Sequence, residues 1–254
     1  MKIRLLGTGT SQGVPVIGCT CEVCCSDDPK DRRLRTAALV TEGDTTICID
    51  TGPDFRQQML LAGVSRLDAV LLTHEHNDHI IGIDDTRPFV FRQNIDMPVY
   101  GLQRVLNDLK LRFAYVFSEH KYAGIPRILA QPLLPFDRLT IGDIKVQFLA
   151  IDYGSLPILG YRFGDLCYIT DASHLPAETL SEIFGVKILI INALHHEPHL
   201  THFNLQAALG AIALIRPELA VLTHMSHHMG IHEVINAQLP ANVLMGYDGM
   251  EIEF

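Results

Sequence analysis

Thr73-His74-Glu75-His76-Asn77-Asp78-His79 places four side chains able to hold a metal, His74, His76, Asp78 and His79, within six residues. The segment follows Leu67-Asp68-Ala69-Val70-Leu71-Leu72, an apolar run rich in branched residues that ends abruptly in polar ones. Such a run reads as a buried strand entering a loop. His74 and His76 stand two apart, so in extended chain they project to the same side and can grip one ion. Asp78 and His79 fall beyond the strand end, where the spacing predicts a helix over 78–83, and would point at a second ion nearby. Imidazole with carboxylate suits zinc, manganese or iron. Two such ions a few ångström apart would clamp a hydrolytic transition state.

A two-metal site needs more ligands than this motif supplies. Tyr168-Ile169-Thr170-Asp171 reads as a strand ending in an acidic residue, which could bridge two ions or cap a helix starting near residue 176. Val221-Leu222-Thr223-His224 repeats the strand-then-Thr-His pattern of Thr73-His74. Six cysteines are present: Cys19, Cys21, Cys24, Cys25, Cys48 and Cys167. Four of them crowd into residues 19–25, which points to metal rather than to a spread disulfide framework. Cys48 and Cys167 lie in apolar, strand-like segments and read as small buried hydrophobes. Gly7-Thr8-Gly9-Thr10-Ser11-Gln12-Gly13 follows the first strand. Three residues separate Gly9 from Gly13 and Val14-Pro15 comes next, so this is not a dinucleotide fingerprint but a tight loop at a site edge.

The elements that must position these groups alternate. Strands are expected over 2–7, 37–41, 46–50, 69–73, 144–150, 160–163, 167–170, 188–192, 220–223 and 243–246. Helices are expected over 54–62, 102–111, 176–184 and 204–215, the last with Asn204 as N-cap and Pro217 as stop. Two similar halves of strands with helices outside suggest two sheets stacked face to face and covered by helices. The 254 residues contain no low-complexity linker, so one domain spanning 1–254 is the economical reading, and a hydrophobic content of 48% is enough for a sizeable core. No run reaches the roughly 20 apolar residues that would span a bilayer. The opening Met1-Lys2-Ile3-Arg4-Leu5-Leu6-Gly7 meets glycine too early for a signal peptide, so a cytoplasmic location and no membrane contact are expected. A net charge of −9 argues against a general nucleic-acid binder but allows a small anionic substrate, since bound metals bring local positive charge.

The order of motifs resembles the metallo-β-lactamase superfamily over nearly the whole chain. The resemblance implies an α/β fold, an αββα sandwich with the site at the edge shared by both sheets. It implies that His74 and His76 hold metal one, that Asp78, His79 and His224 hold metal two, and that Asp171 bridges them. Cys19-Thr20-Cys21-Glu22-Val23-Cys24, with His227 three residues after His224, looks like the further zinc site of PhnP-type phosphodiesterases. Gln12-Gly13-Val14-Pro15, Leu222-Thr223-His224-Met225-Ser226-His227 and Gly246-Tyr247-Asp248-Gly249-Met250 match that group as well. Three thiolates and one imidazole make a closed tetrahedral site, structural in role, stapling the N-terminal loop to a C-terminal one. Spacing prefers Cys24 to Cys25 and His227 to His228. Thr201-His202-Phe203-Asn204 fits the family's catalytic histidine, with His202 donating a proton to the leaving oxygen or stabilising charge on phosphate. The surrounding His195, His196 and His199 could equally form a surface cluster with it. Asp50 resembles the carboxylate that orients a metal-binding histidine.

One position departs from the pattern. The family carries a third metal-one histidine just before Leu156-Pro157-Ile158-Leu159-Gly160-Tyr161, where this chain has Ile151-Asp152-Tyr153-Gly154. Tyr153 stands in its place, and Tyr153 or Asp152, not both, could reach the metal because strand neighbours face opposite ways. The departure admits a weakened or exchange-prone metal one, an altered metal choice, or loss of turnover.

The expected function is therefore a metal-dependent phosphodiesterase acting on small phosphodiesters, cyclic ones among the candidates, through a hydroxide shared by two divalent ions (zinc, manganese or iron), with one structural zinc besides. Arg56 and Arg87 are candidate anion contacts or solvated surface arginines. A transfer-RNA-processing nuclease would need a basic arm that is not evident. A member resembling PqqB of cofactor biosynthesis, a hydrolase or oxygenase, could carry a similar cysteine site. A non-catalytic metal- or phosphate-binding protein is the reading from another class. The family suggests a homodimer.

Overall fold

The computed structural model describes residues 1–118 and 124–254. Strands β1 (Lys2–Gly7), β2 (Ala37–Glu42) and β3 (Thr45–Ile49) pair antiparallel in succession, and β4 (Ala69–Leu71), β5 (Met97–Gly101) and β6 (Ile128–Pro132) extend the sheet in parallel from β3. The second sheet starts with the antiparallel run β7 (Arg138–Ile141), β8 (Ile144–Tyr153), β9 (Leu156–Phe163) and β10 (Leu166–Ile169). It continues in parallel through β11 (Ile188–Asn192), β12 (Leu219–Thr223) and β13 (Val243–Met245). The last strand, β14 (Glu251–Glu253), returns to the first sheet and pairs with β1.

Alternation along the strands builds three apolar layers. Ile3, Leu5, Ile47, Ile49, Phe148, Tyr161, Tyr168 and Val221 meet between the two sheets. The opposite faces of the first sheet, with Cys48, Val70 and Leu72, pack on α1 (Phe55–Ala62), α3 (Arg87–Gln93) and α4 (Gln103–Arg112). Those of the second, with Cys167, Ile169 and Leu189, pack on α6 (Ala177–Ile183) and α7 (Leu205–Ile215). The result is the expected αββα sandwich. Short helices α2 (Asn77–Ile80), α5 (Ala114–Phe117) and α8 (His232–Asn236) complete it. No helix among the described residues is long and apolar enough to cross a membrane.

Helix α7 shows why the local reading works. The Asn204 side chain accepts from Ala207 N at 2.9 Å, closing the N-terminus, and Arg216 in the left-handed region ends the helix before Pro217. The helix expected over 78–83 is instead the four residues of α2 followed by a separate 3-10 turn, Ile83–Thr86. The break has a packing cause: Gly82 N donates to Thr51 O at 2.8 Å, which presses this segment against the loop after β3. A Cβ on Gly52 would collide with the Asp78 carbonyl, so glycine there lets α2 approach the sheet edge.

Candidate metal centre

Strands β3, β4, β10 and β12 end on the same side of the sandwich, and the candidate residues sit just past those ends, where open α/β sheets place their sites. Asp50 follows β3, His74 follows β4, Asp171 follows β10 and His224 follows β12. Three of these residues, Asp50, Asp171 and His224, have positive φ angles of 62°, 57° and 55°. Left-handed backbone at a residue other than glycine costs about 1–3 kcal/mol, so three such residues at one edge mark a place where geometry outranks stability. The turns are held by Asn192, which clamps Ala172 N and O at 2.8 and 3.0 Å, and by Met225 N donating to Thr8 O at 2.9 Å.

Asp171 stands at the centre. Its Oδ1 lies 3.0 Å from His224 Nε2 and 3.1 Å from His202 Nε2, while its Oδ2 lies 3.4 Å from His79 Nε2. Asp78 Oδ2 lies 3.2 Å from His79 Nε2 and 3.9 Å from His224 Nε2. Ligand atoms of three overlapping groups therefore lie within 4.8 Å of one another: His74, His79 and Asp171; Asp78, His79 and His224; Asp171, His202 and His224. His76 belongs to none of them. Its ring lies edge-on to His74, 4.6 Å between centroids.

Buried imidazole nitrogens without a hydrogen-bond partner test whether metal fits here. His74 Nε2 and His224 Nδ1 are such atoms, while His79 Nε2 and His224 Nε2 face only carboxylates, at 3.2 and 3.0 Å, without a well-aligned hydrogen bond. Unpartnered buried polar atoms are rare and call for a bound species. With carboxylates beside them, these residues are a donor set suited to zinc, manganese or iron. Burial works against ionisation of Asp171, but His224 and His79 outweigh it and hold the carboxyl well below its ordinary range. Burial pushes His74 well below the usual imidazole value, which leaves it neutral and able to ligate.

The nitrogens turned away from the centre are anchored. His79 Nδ1 lies 2.7 Å from Asp50 Oδ2, and Thr73 Oγ1 donates to that same oxygen at 2.9 Å. Thr73 Oγ1 in turn lies 3.0 Å from His74 Nδ1. One buried carboxylate thus orients two imidazoles, the second through a threonine. Thr73 is a residue that the sequence reading passed over, although the repeat of Thr before His at Thr223-His224 hinted at it. Glu75, between the two histidines, turns outward to Arg104 at 2.7 and 3.0 Å.

Asp152 also turns away, pairing with His174 Nδ1 at 2.8 Å, so Tyr153 is the member of the pair whose ring faces the imidazoles. His202 Nδ1 lies 3.1 Å from Thr201 Oγ1 and 3.3 Å from His199 Nδ1. Of the two candidate anion contacts, Arg87 is held by Asp84 at 2.6 and 2.8 Å, and Arg56 is exposed on α1.

A second group forms beside this one. Cys19, Cys21, Cys24 and His227 bring their ligand atoms within 4.8 Å of one another. Cys19 and Cys21 Sγ lie 3.4 and 3.3 Å from His227 Nδ1. A tetrahedral zinc with ordinary Zn–S and Zn–N bonds has an S···N edge of roughly 3.6 Å, so the group is close to the required size. The hydrogen bond with His227 lowers the Cys21 thiol to about 6, towards the thiolate that zinc needs. Cys25 and His228 are exposed and outside the group.

Fold and donor pattern together define a metallo-hydrolase scaffold. The chain belongs to the metallo-β-lactamase superfamily: the family model described as a beta-lactamase superfamily domain matches residues 45–225. Within it, the chain is 36% identical to a solved structure described as a new diphosphatase from the PhnP family, with a TM-score of 0.93 covering 100% of this chain and 96% of that one. It is 41% identical over 253 residues to an octanoyltransferase of Porphyromonas gingivalis, a match that covers 99% of this chain and 51% of that protein. The chain spans about half the length of that relative, whose name describes the whole protein. Zn(2+)-bound PqqB from Methylobacterium extorquens shares the fold at 16% identity, with a TM-score of 0.79 over the full length of both chains.

Proposed function

We propose that the chain is a metal-dependent phosphodiesterase acting on small, including cyclic, phosphodiesters. The observation that carries this reading is Asp171, whose two oxygens face different imidazoles, Oδ1 towards His224 and Oδ2 towards His79. His74, His76 and Asp171 would hold one divalent ion, and Asp78, His79, His224 and Asp171 the other. When bound, such a pair supplies a nucleophilic hydroxide at neutral pH and neutralises phosphoryl oxygens. The chain's own part is to hold these ligands rigidly and to place a proton donor. His202, nine per cent exposed and beside Asp171, would give its proton to the leaving oxygen as the P–O bond breaks. Cys19, Cys21, Cys24 and His227 would hold a structural zinc, with no position open for chemistry.

A net charge of −9 favours a small substrate over a nucleic-acid polymer. A cytoplasmic, homodimeric protein is part of the same reading. A second reading, cleavage of a diphosphate linkage, is favoured by the similarity to the PhnP-family diphosphatase. Both reactions place water on phosphorus and differ in the leaving group.

The test is turnover by metal-replete protein of bis(4-nitrophenyl) phosphate, a 2′,3′-cyclic nucleotide and a nucleoside diphosphate diester, followed by phosphorus NMR. Faster turnover of the first two supports the phosphodiesterase, and faster turnover of the third supports the diphosphatase. No turnover of any, with the metals counted as present, overturns both in favour of a binding protein.

A further inference from the structure

Tyr153 stands where the superfamily resemblance asks for a third histidine on the first metal, and its backbone leaves it no room to withdraw. It pairs with Leu156 across the β8–β9 hairpin. Gly154 N donates to Ser173 Oγ at 2.8 Å, and Gly154 itself lies so close to Thr201 that a Cβ would sit 3.1 Å from the threonine methyl. The phenol ring stacks on His74 at 5.7 Å and 27°, and meets His76 at 5.3 Å and 84° and His202 at 4.9 Å and 88°. Three imidazoles enclose one six-membered ring. That ring fills space beside His74 and His76 with carbon, where an imidazole would present nitrogen.

The two halves of the centre are unequal in consequence. On one side Asp78, His79 and His224 form a ligand group, and Asp171 adds a second carboxylate 3.0 Å from His224 and 3.4 Å from His79. On the other side, His74 is grouped with Asp171 only together with His79, which the first side also uses, and His76 stays outside all three groups. Asp152 offers no replacement, because His174 occupies its carboxylate.

We propose that the two metal positions differ in affinity, one tight (Asp78, His79, His224, Asp171) and one exchangeable (His74, His76, Asp171), and that Tyr153 sets the difference. The proposal rests on the two-metal reading above and deepens it: the second ion is taken from the surrounding supply, so activity follows the concentration of free divalent metal. Tyr153 acts through the ligands and is a positioning residue.

The test is equilibrium dialysis of the protein as purified against graded Mn2+, with zinc and manganese per chain counted by elemental analysis and coupled manganese pairs observed by electron paramagnetic resonance. Two metals per chain are expected to survive dialysis into metal-free buffer, the thiolate-held zinc and the tight ion. A third is expected only with added Mn2+, binding at least about 100-fold more weakly, beyond the range known for loss of an outer partner. Tyr153→His is expected to bring the third metal to within about tenfold of the second, and Tyr153→Phe, which keeps the ring, to match the parent. Three metals held equally by the parent would overturn the proposal. So would a Tyr153→His protein that melts like the parent yet still binds the third metal weakly, or a Tyr153→Phe protein that binds it more weakly still, which would make the hydroxyl a ligand. No more than two metals per chain in parent and Tyr153→His alike, at saturating Mn2+, would leave at most one ion at the centre and remove the two-metal reading itself.

Discussion

Asp50 Oδ2 lies 2.7 Å from His79 Nδ1 with both side chains fully buried, and Thr73 connects the same carboxylate to His74. Burial pushes the Asp50 carboxyl up, against the pull of His79 and Thr73. Asp50→Ala strips the orienting partner from two imidazoles at once and leaves buried donors unpaired. Metal affinity at the centre should fall about 10–100-fold, and stability by about 1–3 kcal/mol. Thr73→Val, which removes the hydroxyl and keeps the shape, touches only the His74 branch directly and should cost less in affinity. Metal titration of the two variants side by side checks the order.

Adjacent cysteines should behave oppositely. Cys24 Sγ belongs to the group around His227 and accepts from Val16 N at 3.3 Å, whereas Cys25 is exposed. Cys24→Ser should lose one zinc per chain by elemental analysis. Its melting temperature should drop by several degrees, since about 2 kcal/mol shifts a chain of this size by roughly 4–8 °C. Cys25→Ser should keep both the zinc and the melting temperature. Equal zinc loss in the two variants would show that the loop can exchange one thiolate for its neighbour.

Acid should weaken the fold through His232. Its Nδ1 lies 3.2 Å from an Arg33 guanidinium nitrogen, and an arginine can only donate, so the imidazole accepts and is neutral. Burial, then Arg33 and Lys30, push its pKa down to about 4, against the opposite pull of Asp28 and Asp31. The folded value is below the ordinary 6.5, so the contribution is complete above pH 6.5 and is lost as pH falls towards 4. Asp248, pushed up to about 6 by burial, works the other way, favouring the fold as pH drops below 6. His232→Gln, which can still accept from Arg33 but does not titrate, should lose about 2 kcal/mol less than the parent between pH 7 and 4.5. Urea unfolding at the two pH values measures this, and parallel losses would clear His232 of the effect.

Legibility in the sequence followed burial. Strands β1 and β11 match the expected spans residue for residue, β11 because it is a run of branched apolar residues and β1 because its alternating charged and apolar residues stop at Gly7. The ligand candidates stood out because each follows such a run. Strands β6 and β7 escaped, being short strands whose residues alternate between exposed and half-buried, so no apolar run announces them. Strand β5 carries Pro98, which obscures a strand pattern. Arg33 gave no local signal at all: its buried contacts, Thr8, Gly246 and His232, come from three distant segments and exist only once the chain is folded. The choice between Tyr153 and Asp152 depended on pleat register, which pairing across the β8–β9 hairpin decides.

His202 separates proton donation from metal holding. It lies 3.1 Å from Asp171 Oδ1, and its group with Asp171 and His224 is compact enough to contain an ion, so the residue could serve either role. A proton donor matters most when the departing oxygen is strongly basic. A ligand matters equally for every substrate. His202→Ala should therefore lower kcat about 10²–10⁴-fold on an alkyl phosphodiester and much less on a 4-nitrophenyl diester, with the metal count unchanged. Equal losses on both substrates, together with a missing metal, would instead make His202 a ligand and leave the leaving oxygen to be protonated by solvent.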